Sequence, residues 1–297
     1  MHDVYAYGMI APSTLLELED DYPPPAGYAE LAEVHPSIGG EAAGTAIVLA
    51  RLGVATKLTG VRLGRDEHSA RTIDVLEAAG VDCSAIRTDG DRPPVTEIVV
   101  TSGESRTVFG TYRRFSTDRA WEAPSRADVE RSRIVCVDPF FEGDSLQVVR
   151  WCEDGGVPYV TIDAPPTSEI ARLAEVLIIS EEFATRTIGG QPRDLLDAYT
   201  AQCRGLVVVT QGAKRFLSGR SGQPPQEHST FSVPVRDTTG AGDSFRAGII
   251  YGMLRGLDTL QLMQTATAVA ALVCQRVPGV VNSPTEWELE SFLERNG

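Results

Sequence analysis

Positive charge is what this sequence has too little of: 27 Lys and Arg stand against 41 Asp and Glu, a formal net charge of -14. Surfaces that grip DNA, RNA or anionic lipid gather Lys and Arg, so this balance argues against a polyanion partner. Small phosphates, held by donors gathered locally, remain open. Cysteine is scarce too. Cys83, Cys136, Cys152, Cys203 and Cys274 lie far apart, none in a C-x-x-C pair, and the four histidines are equally scattered. That pattern excludes a structural zinc site and reads as reduced, buried thiols of a cytosolic protein. Residues 1–7 lack the basic start and apolar stretch of a signal peptide. No apolar run approaches the roughly 20 residues that span a bilayer. A cytoplasmic protein with no membrane contact is expected. Repeats, interdomain linkers and low-complexity tracts are also lacking, apart from the cluster Pro23-Pro24-Pro25.

What is present suits one large core: 297 residues, 42% of them apolar. Short runs rich in Val and Ile, at 4–10, 57–61, 134–137, 159–162, 176–179 and 206–210, read as strands buried on both faces. Helix-period segments at 42–52, 67–79, 145–154 and 193–203 alternate with them, and 241–255, 260–275 and 286–294 close the chain. This alternation predicts an α/β fold, a mostly parallel sheet between layers of helices. Segments 13–19, 29–36, 96–101 and 106–112 instead alternate polar and apolar residues around turn-rich stretches. They predict a small, half-exposed antiparallel sheet covering one edge of the larger one. The expected division is a main domain of residues 1–12, 37–94 and 113–297, with a discontinuous lid of 13–36 and 95–112.

The motif that carries chemistry is Asp237-Thr238-Thr239-Gly240-Ala241-Gly242-Asp243-Ser244-Phe245, followed by a helical run. Small residues ahead of a helix let its first backbone N–H groups approach a phosphate, where they and the helix dipole stabilise developing negative charge. A carboxylate at Asp243, in the first turn, stands where it can take a proton from an attacking hydroxyl. An upstream string, Gly39-Gly40-Glu41-Ala42-Ala43-Gly44 running on to Leu52-Gly53, has glycines that permit close backbone approach to a ligand.

Both strings resemble the two signatures of the ribokinase-like, or phosphofructokinase-B, carbohydrate kinases, and the resemblance covers nearly the whole chain. It implies a three-layer α/β/α sandwich with a small β lid. It also implies ATP with Mg2+ as phosphoryl donor and a sugar-like acceptor. Asp243 would be the catalytic base, with Gly240, Ala241 and Gly242 as the anion hole. Gly39, Gly40 and Gly44 would line the substrate. Residues 206–214 resemble the family's nucleotide-side strand and turn, making Thr210 and Gly212 candidates for ATP contact. Asp237, Thr239 and the loop at Gly279 resemble a monovalent-cation site, with K+ as the ion. Many relatives pair through their lids, so a homodimer is expected.

Three departures blur the substrate. Gly44 stands where many members have a sugar-binding Asn, and Ser13 where sugar kinases have an Asp. Ser180-Glu181-Glu182-Phe183 replaces the family's Asn-x-x-Glu, leaving Ser180 beside the nucleotide and Glu181 or Glu182 to act through water. Tyr112-Arg113-Arg114 resembles an element of 2-keto-3-deoxygluconate kinases, which makes Arg113 a candidate for an acidic sugar. Arg246, one turn beyond Asp243, is a candidate for phosphate or an anionic substrate, or else a surface residue. The expected activity is phosphorylation of a primary hydroxyl on a ketose, pentose or acidic sugar. A nucleoside kinase of adenosine type is the nearest alternative. From another class comes a non-catalytic sugar- or nucleotide-binding protein.

Overall fold

Among the described residues, twelve strands form two sheets. In chain order they are β1 (Val4–Gly8), β2 (Ala11–Leu18), β3 (Leu31–Gly39), β4 (Thr56–Gly60), β5 (Glu97–Ser102) and β6 (Ser105–Gly110). Then follow β7 (Ile134–Val137), β8 (Tyr159–Ile162), β9 (Val176–Ile179), β10 (Leu206–Val209), β11 (Phe216–Gly219) and β12 (Gln226–His228). The computed structural model describes residues 2–103 and 105–296; for Arg113, Arg114, Ser116, Glu142 and Ile188 it describes the backbone alone.

The larger sheet has the order β12-β11-β10-β9-β8-β7-β1-β4. Its six strands from β10 to β4 run parallel, and β11 and β12 return antiparallel at one edge. β1, β7, β9 and β10 are buried along their full length, as strands covered on both faces must be. The antiparallel edge pair was not expected from the sequence, because three or four residues are too few to show a period.

The helices are α1 (Glu41–Arg51), α2 (Glu67–Ala78), α3 (Tyr112–Asp118), α4 (Arg126–Arg131), α5 (Glu142–Gly155) and α6 (Glu169–Arg172). They continue with α7 (Glu181–Phe183), α8 (Pro192–Thr200), α9 (Ala241–Leu254), α10 (Thr259–Cys274) and α11 (Glu286–Asn296). α1, α9, α10 and α11 pack on one another in succession, while α4, α5 and α6 form a second group, which gives the three layers. The capping chemistry is local: Asp66 caps α2, Ser125 caps α4, and Asp258 with Gln261 closes a capping box on α10.

The second sheet has the order β3-β2-β5-β6. Its hairpins β2–β3 and β5–β6 are antiparallel, as expected, but β2 and β5 pair in parallel, so the sheet is mixed. β5 begins beside Ser13, the third residue of β2, and the two central strands run in the same direction. The expected first strand, 4–10, is also shorter in the structure. Met9 N donates to Asp138 Oδ2 at 2.8 Å and Met9 O accepts from Ala43 N at 3.1 Å, so the chain leaves the large sheet there. It enters the small one at Ala11.

All five cysteines are free thiols. Burial pushes the thiols of Cys83, Cys136 and Cys152 up to about 12, which makes them inert packing groups. Among the described residues no helix is long and apolar enough to cross a membrane.

Candidate active site

The string 237–243 ends at the start of α9. Gly240 caps the helix with φ +73, a left-handed conformation glycine takes without penalty, and a Cβ there would lie 1.9 Å from Val280 Cγ2. Amides in the first turn of a helix have no partner within it. The space beside Gly242 is open: a Cβ added there would meet nothing within 4 Å. The Ala241 amide already donates to the Thr238 carbonyl at 3.2 Å, so the open part of this helix start, where an anion can approach, is the space beside Gly242.

Asp243 sits in that turn, half-buried, and its carboxyl is pushed up to about 7. Burial is the largest cause; Asp138 and Glu97 push the same way, while Arg246 and Arg106 pull it down. Across from it lies Gly44 on α1. A Cβ at Gly44 would fall 2.6 Å from Asp243 Oδ2 and 2.9 Å from its Cβ. Gly44 is therefore the surface against which the carboxylate rests.

Beneath the site lies a buried ion pair. Asp138, at the end of β7, accepts from Arg246 Nη1 at 2.7 Å through Oδ1 and from Met9 N and Ala42 N through Oδ2. Arg246 Nε donates to Thr45 Oγ1 at 2.9 Å, and the Thr45 hydroxyl donates toward the carbonyl oxygens of Glu41 and Asp243. One cluster thus joins β1, β7, α1 and α9. It also corrects the expectation for Arg246, which is 0% exposed and lies on neither a solvent surface nor a substrate-facing one.

The small sheet supplies the opposite wall. Ser13, Ser37 and Glu97 are cross-strand neighbours on one face, all buried. Glu97 lies directly over Gly39, where a Cβ would meet its carboxylate at 2.0 Å, and accepts a hydrogen bond from the Tyr112 hydroxyl. Tyr112 opens α3, and Phe115 anchors that helix with its ring 4.9 Å from Trp121 and 5.0 Å from Phe141. Residue 112 was expected to end a strand; this aromatic anchor turns it into a helix instead. Glu41, first residue of α1, is held well above the usual carboxylate range by burial, with Asp138 and Asp243 adding repulsion. Arg106 on β6 reaches across to donate to the Thr238 carbonyl at 2.6 Å, beside the anion site. The side chain of Arg113 lies outside the described residues.

At the C-terminal ends of β8, β9 and β10 the three nucleotide-side candidates come together. Thr210 N donates to Ile179 O at 2.9 Å, which sets Thr210 beside Ser180. The Ser180 hydroxyl donates to Asp163 Oδ2 at 2.8 Å and accepts from Phe183 N, capping α7. Gly212, at φ +59, has Glu181 beside it, and Glu181 pairs with Lys214 at 3.0 Å. Farther along, Asp237 accepts from Thr239 N at 2.8 Å and from Gly279 N at 3.2 Å. The three cation-site candidates are thereby drawn into one corner, where Thr239 Oγ1 is buried without a hydrogen-bond partner.

Sequence reasoning missed Glu97, Arg106 and Asp138. Each lies outside both motifs, and an isolated charged residue on a short strand carries no local signal. Glu41 lay inside the upstream motif, and its burial was the part that could not be read.

The geometry has counterparts among known proteins. The family model of the pfkB family carbohydrate kinases matches residues 1–286. A ribokinase from Bacillus subtilis is 24% identical over 289 residues, covering 94% of this chain and 95% of its own. A nucleoside kinase from Methanothermobacter thermautotrophicus is 24% identical over 299 residues, covering 96% of this chain and 94% of its own. The structure of Arabidopsis thaliana ribokinase complexed with ribose and ATP superposes with a TM-score of 0.78 at 20% identity, covering 99% of each chain. With a family match over nearly its whole length and the same sandwich and lid, this chain belongs to the pfkB family of carbohydrate kinases, which are ATP-dependent phosphotransferases.

Proposed function

We propose that this protein transfers the γ-phosphoryl group of ATP to a hydroxyl, most naturally a primary one, of a small sugar-like acceptor bound under the lid. One observation carries the reading: a carboxylate with its proton affinity raised to about 7 stands in the first turn of a helix whose mouth is open. A general base works best with a pKa near the operating pH. A pure binding protein has no need of such a group.

In the step proposed, the acceptor oxygen attacks the γ-phosphorus and its proton passes to Asp243. The bond from that phosphorus to the β–γ bridging oxygen breaks, and ADP leaves with the electron pair. The helix start at Gly240–Gly242 would receive the charge on the transferring group, the Ala241 amide only once it releases the Thr238 carbonyl. Most of the acceleration comes from positioning and charge stabilisation. ATP would lie along Ser180, Thr210 and Gly212. Glu181 and Glu182, exposed carboxylates, would hold Mg2+ through water as oxygen donors, and the ion would supply neutralisation of phosphate charge. K+ suits the corner of Asp237, Thr239 and Gly279, where Thr239 Oγ1 offers an unused oxygen.

Residues 13–36 and 95–112 would close over the acceptor and keep water from the phosphoryl group. The outward face of this lid carries Val34 at 55%, Ile98 at 45% and Phe109 at 49% exposure, an apolar surface suited to pairing with a second copy. The test is ADP release with Mg-ATP across sugars, sugar acids, amino sugars and nucleosides, repeated with Asp243→Asn. At least one acceptor stimulates turnover and the substitution abolishes most of it. Ligand binding without turnover by any acceptor would make this a binding protein; turnover of nucleosides alone would make it a nucleoside kinase.

A further inference from the structure

The acceptor pocket gathers carboxyl groups. Glu41 and Glu97 face the same space as Asp243, and the Tyr112 hydroxyl feels the charge of all three. Glu97 is fixed by Tyr112 and by its seat over Gly39. Two polar atoms in this wall are buried with no hydrogen-bond partner: Glu41 Oε2 and the hydroxyl of Ser13. Ser13 is 6% exposed and sits beside Glu97 in the sheet register, on the same face of the small sheet.

Among the described residues, the cations that act on Asp243 are Arg246, whose Nη2 is buried without a hydrogen-bond partner, and Arg106. Arg246 is enclosed and paired with Asp138, and Arg106 holds the Thr238 carbonyl beside the phosphate end. An acceptor entering here must satisfy an orphan carboxylate oxygen and an orphan hydroxyl. It must also offset charge that ATP makes more negative. A neutral polyol supplies hydrogen bonds but no charge, and a carboxylate-bearing acceptor adds to the excess. A protonated amine supplies both, because an ammonium carries three donors and a full positive charge, and its hydrogen bonds to carboxylates are the stronger kind.

We infer that the acceptor is an amine-bearing sugar or polyol whose ammonium group sits between Glu41 and Glu97, with a hydroxyl presented to Asp243. The Ser13 hydroxyl takes a neighbouring donor of the same molecule. This inference rests on the phosphotransferase reading above and names its substrate class.

Matched acceptor triads test it: a neutral sugar, its amino-deoxy analogue and its acid, such as glucose, glucosamine and glucuronate, or fructose, 1-amino-1-deoxyfructose and 2-ketogluconate. ADP release gives kcat/KM for each member. In at least one triad the amine is expected to exceed its neutral parent by about tenfold or more, one well-placed charged contact, with the acid inactive. Glu41→Gln and Glu97→Gln, checked for folding by thermal melts, are each expected to bring that ratio close to one. Turnover confined to neutral parents, acids or nucleosides overturns the inference and leaves phosphotransfer standing. An amine preference that survives both substitutions removes the ammonium from this pocket and overturns it as well. No ADP release with any acceptor sinks the kinase reading itself, and this inference with it. Should either variant fail to fold, the ranking within the triads of the unaltered protein still decides.

Discussion

Replacing Asp243 by Asn removes a charge that the fold holds at a cost, so the substitution should disable the protein and stabilise it together. An unfolded chain ionises this carboxyl near 3.8, whereas the folded protein holds the proton to about 7, chiefly through burial. Between those values the native state keeps a proton that the unfolded state has lost. Stability therefore falls as pH rises from about 4 to about 7, then levels off. About three pH units correspond to about 4 kcal/mol at most, and access of water from the cleft reduces this to roughly 1–3 kcal/mol. Glu41, raised by the same burial and by Asp243 itself, moves in the same sense. Urea unfolding of the ligand-free protein should show Asp243→Asn more stable than the parent. The gap should widen by roughly 0.5–1.5 kcal/mol between pH 5.5 and pH 8. In parallel, kcat/KM of the parent with its best acceptor should rise with pH through an apparent pKa near 7, and the variant should lose about 10²–10⁴ in rate. A variant no more stable than the parent at pH 8 would refute the buried carboxylate, and one retaining full activity would refute the base.

Gly44→Ala places a methyl 2.6 Å from Asp243 Oδ2 and 2.9 Å from its Cβ, so the carboxylate must move and α1 and α9 must ease apart; kcat/KM should drop about 10²-fold for a shift near 1 Å, and the melting temperature should fall as well. Arg106→Gln removes a positive charge that lowers the Asp243 pKa, so the ascending limb of the kcat/KM profile should move to higher pH. Asp138→Asn leaves the Arg246 guanidinium buried without its counter-charge, and denaturant unfolding should reveal a loss of about 3–5 kcal/mol. Val34→Glu together with Phe109→Glu should turn a homodimer into a monomer in analytical ultracentrifugation; a parent that sediments as a monomer at all concentrations would remove the lid-pairing proposal.

The sequence by itself determined the alternation of buried strands and amphipathic helices, because period and burial are encoded within each segment. It also disclosed the helix start at Gly240–Asp243, since a run of small residues before a helix is a local device and Asp243 is one turn from the glycines. The lid segments were legible as half-exposed strands for the same reason. Only the tertiary structure decided which charges meet. Arg246 looks like any helix-surface arginine until β7 brings Asp138 beneath it, 108 residues away in the chain. Gly44 reads as a missing ligand until α1 and α9 cross and its bare face becomes the seat of Asp243. Glu97 gains its place over Gly39 only when β5 pairs with β2, which no local pattern specifies. Periodicity and caps act between neighbours in sequence, whereas the charge on a carboxyl depends on everything packed around it.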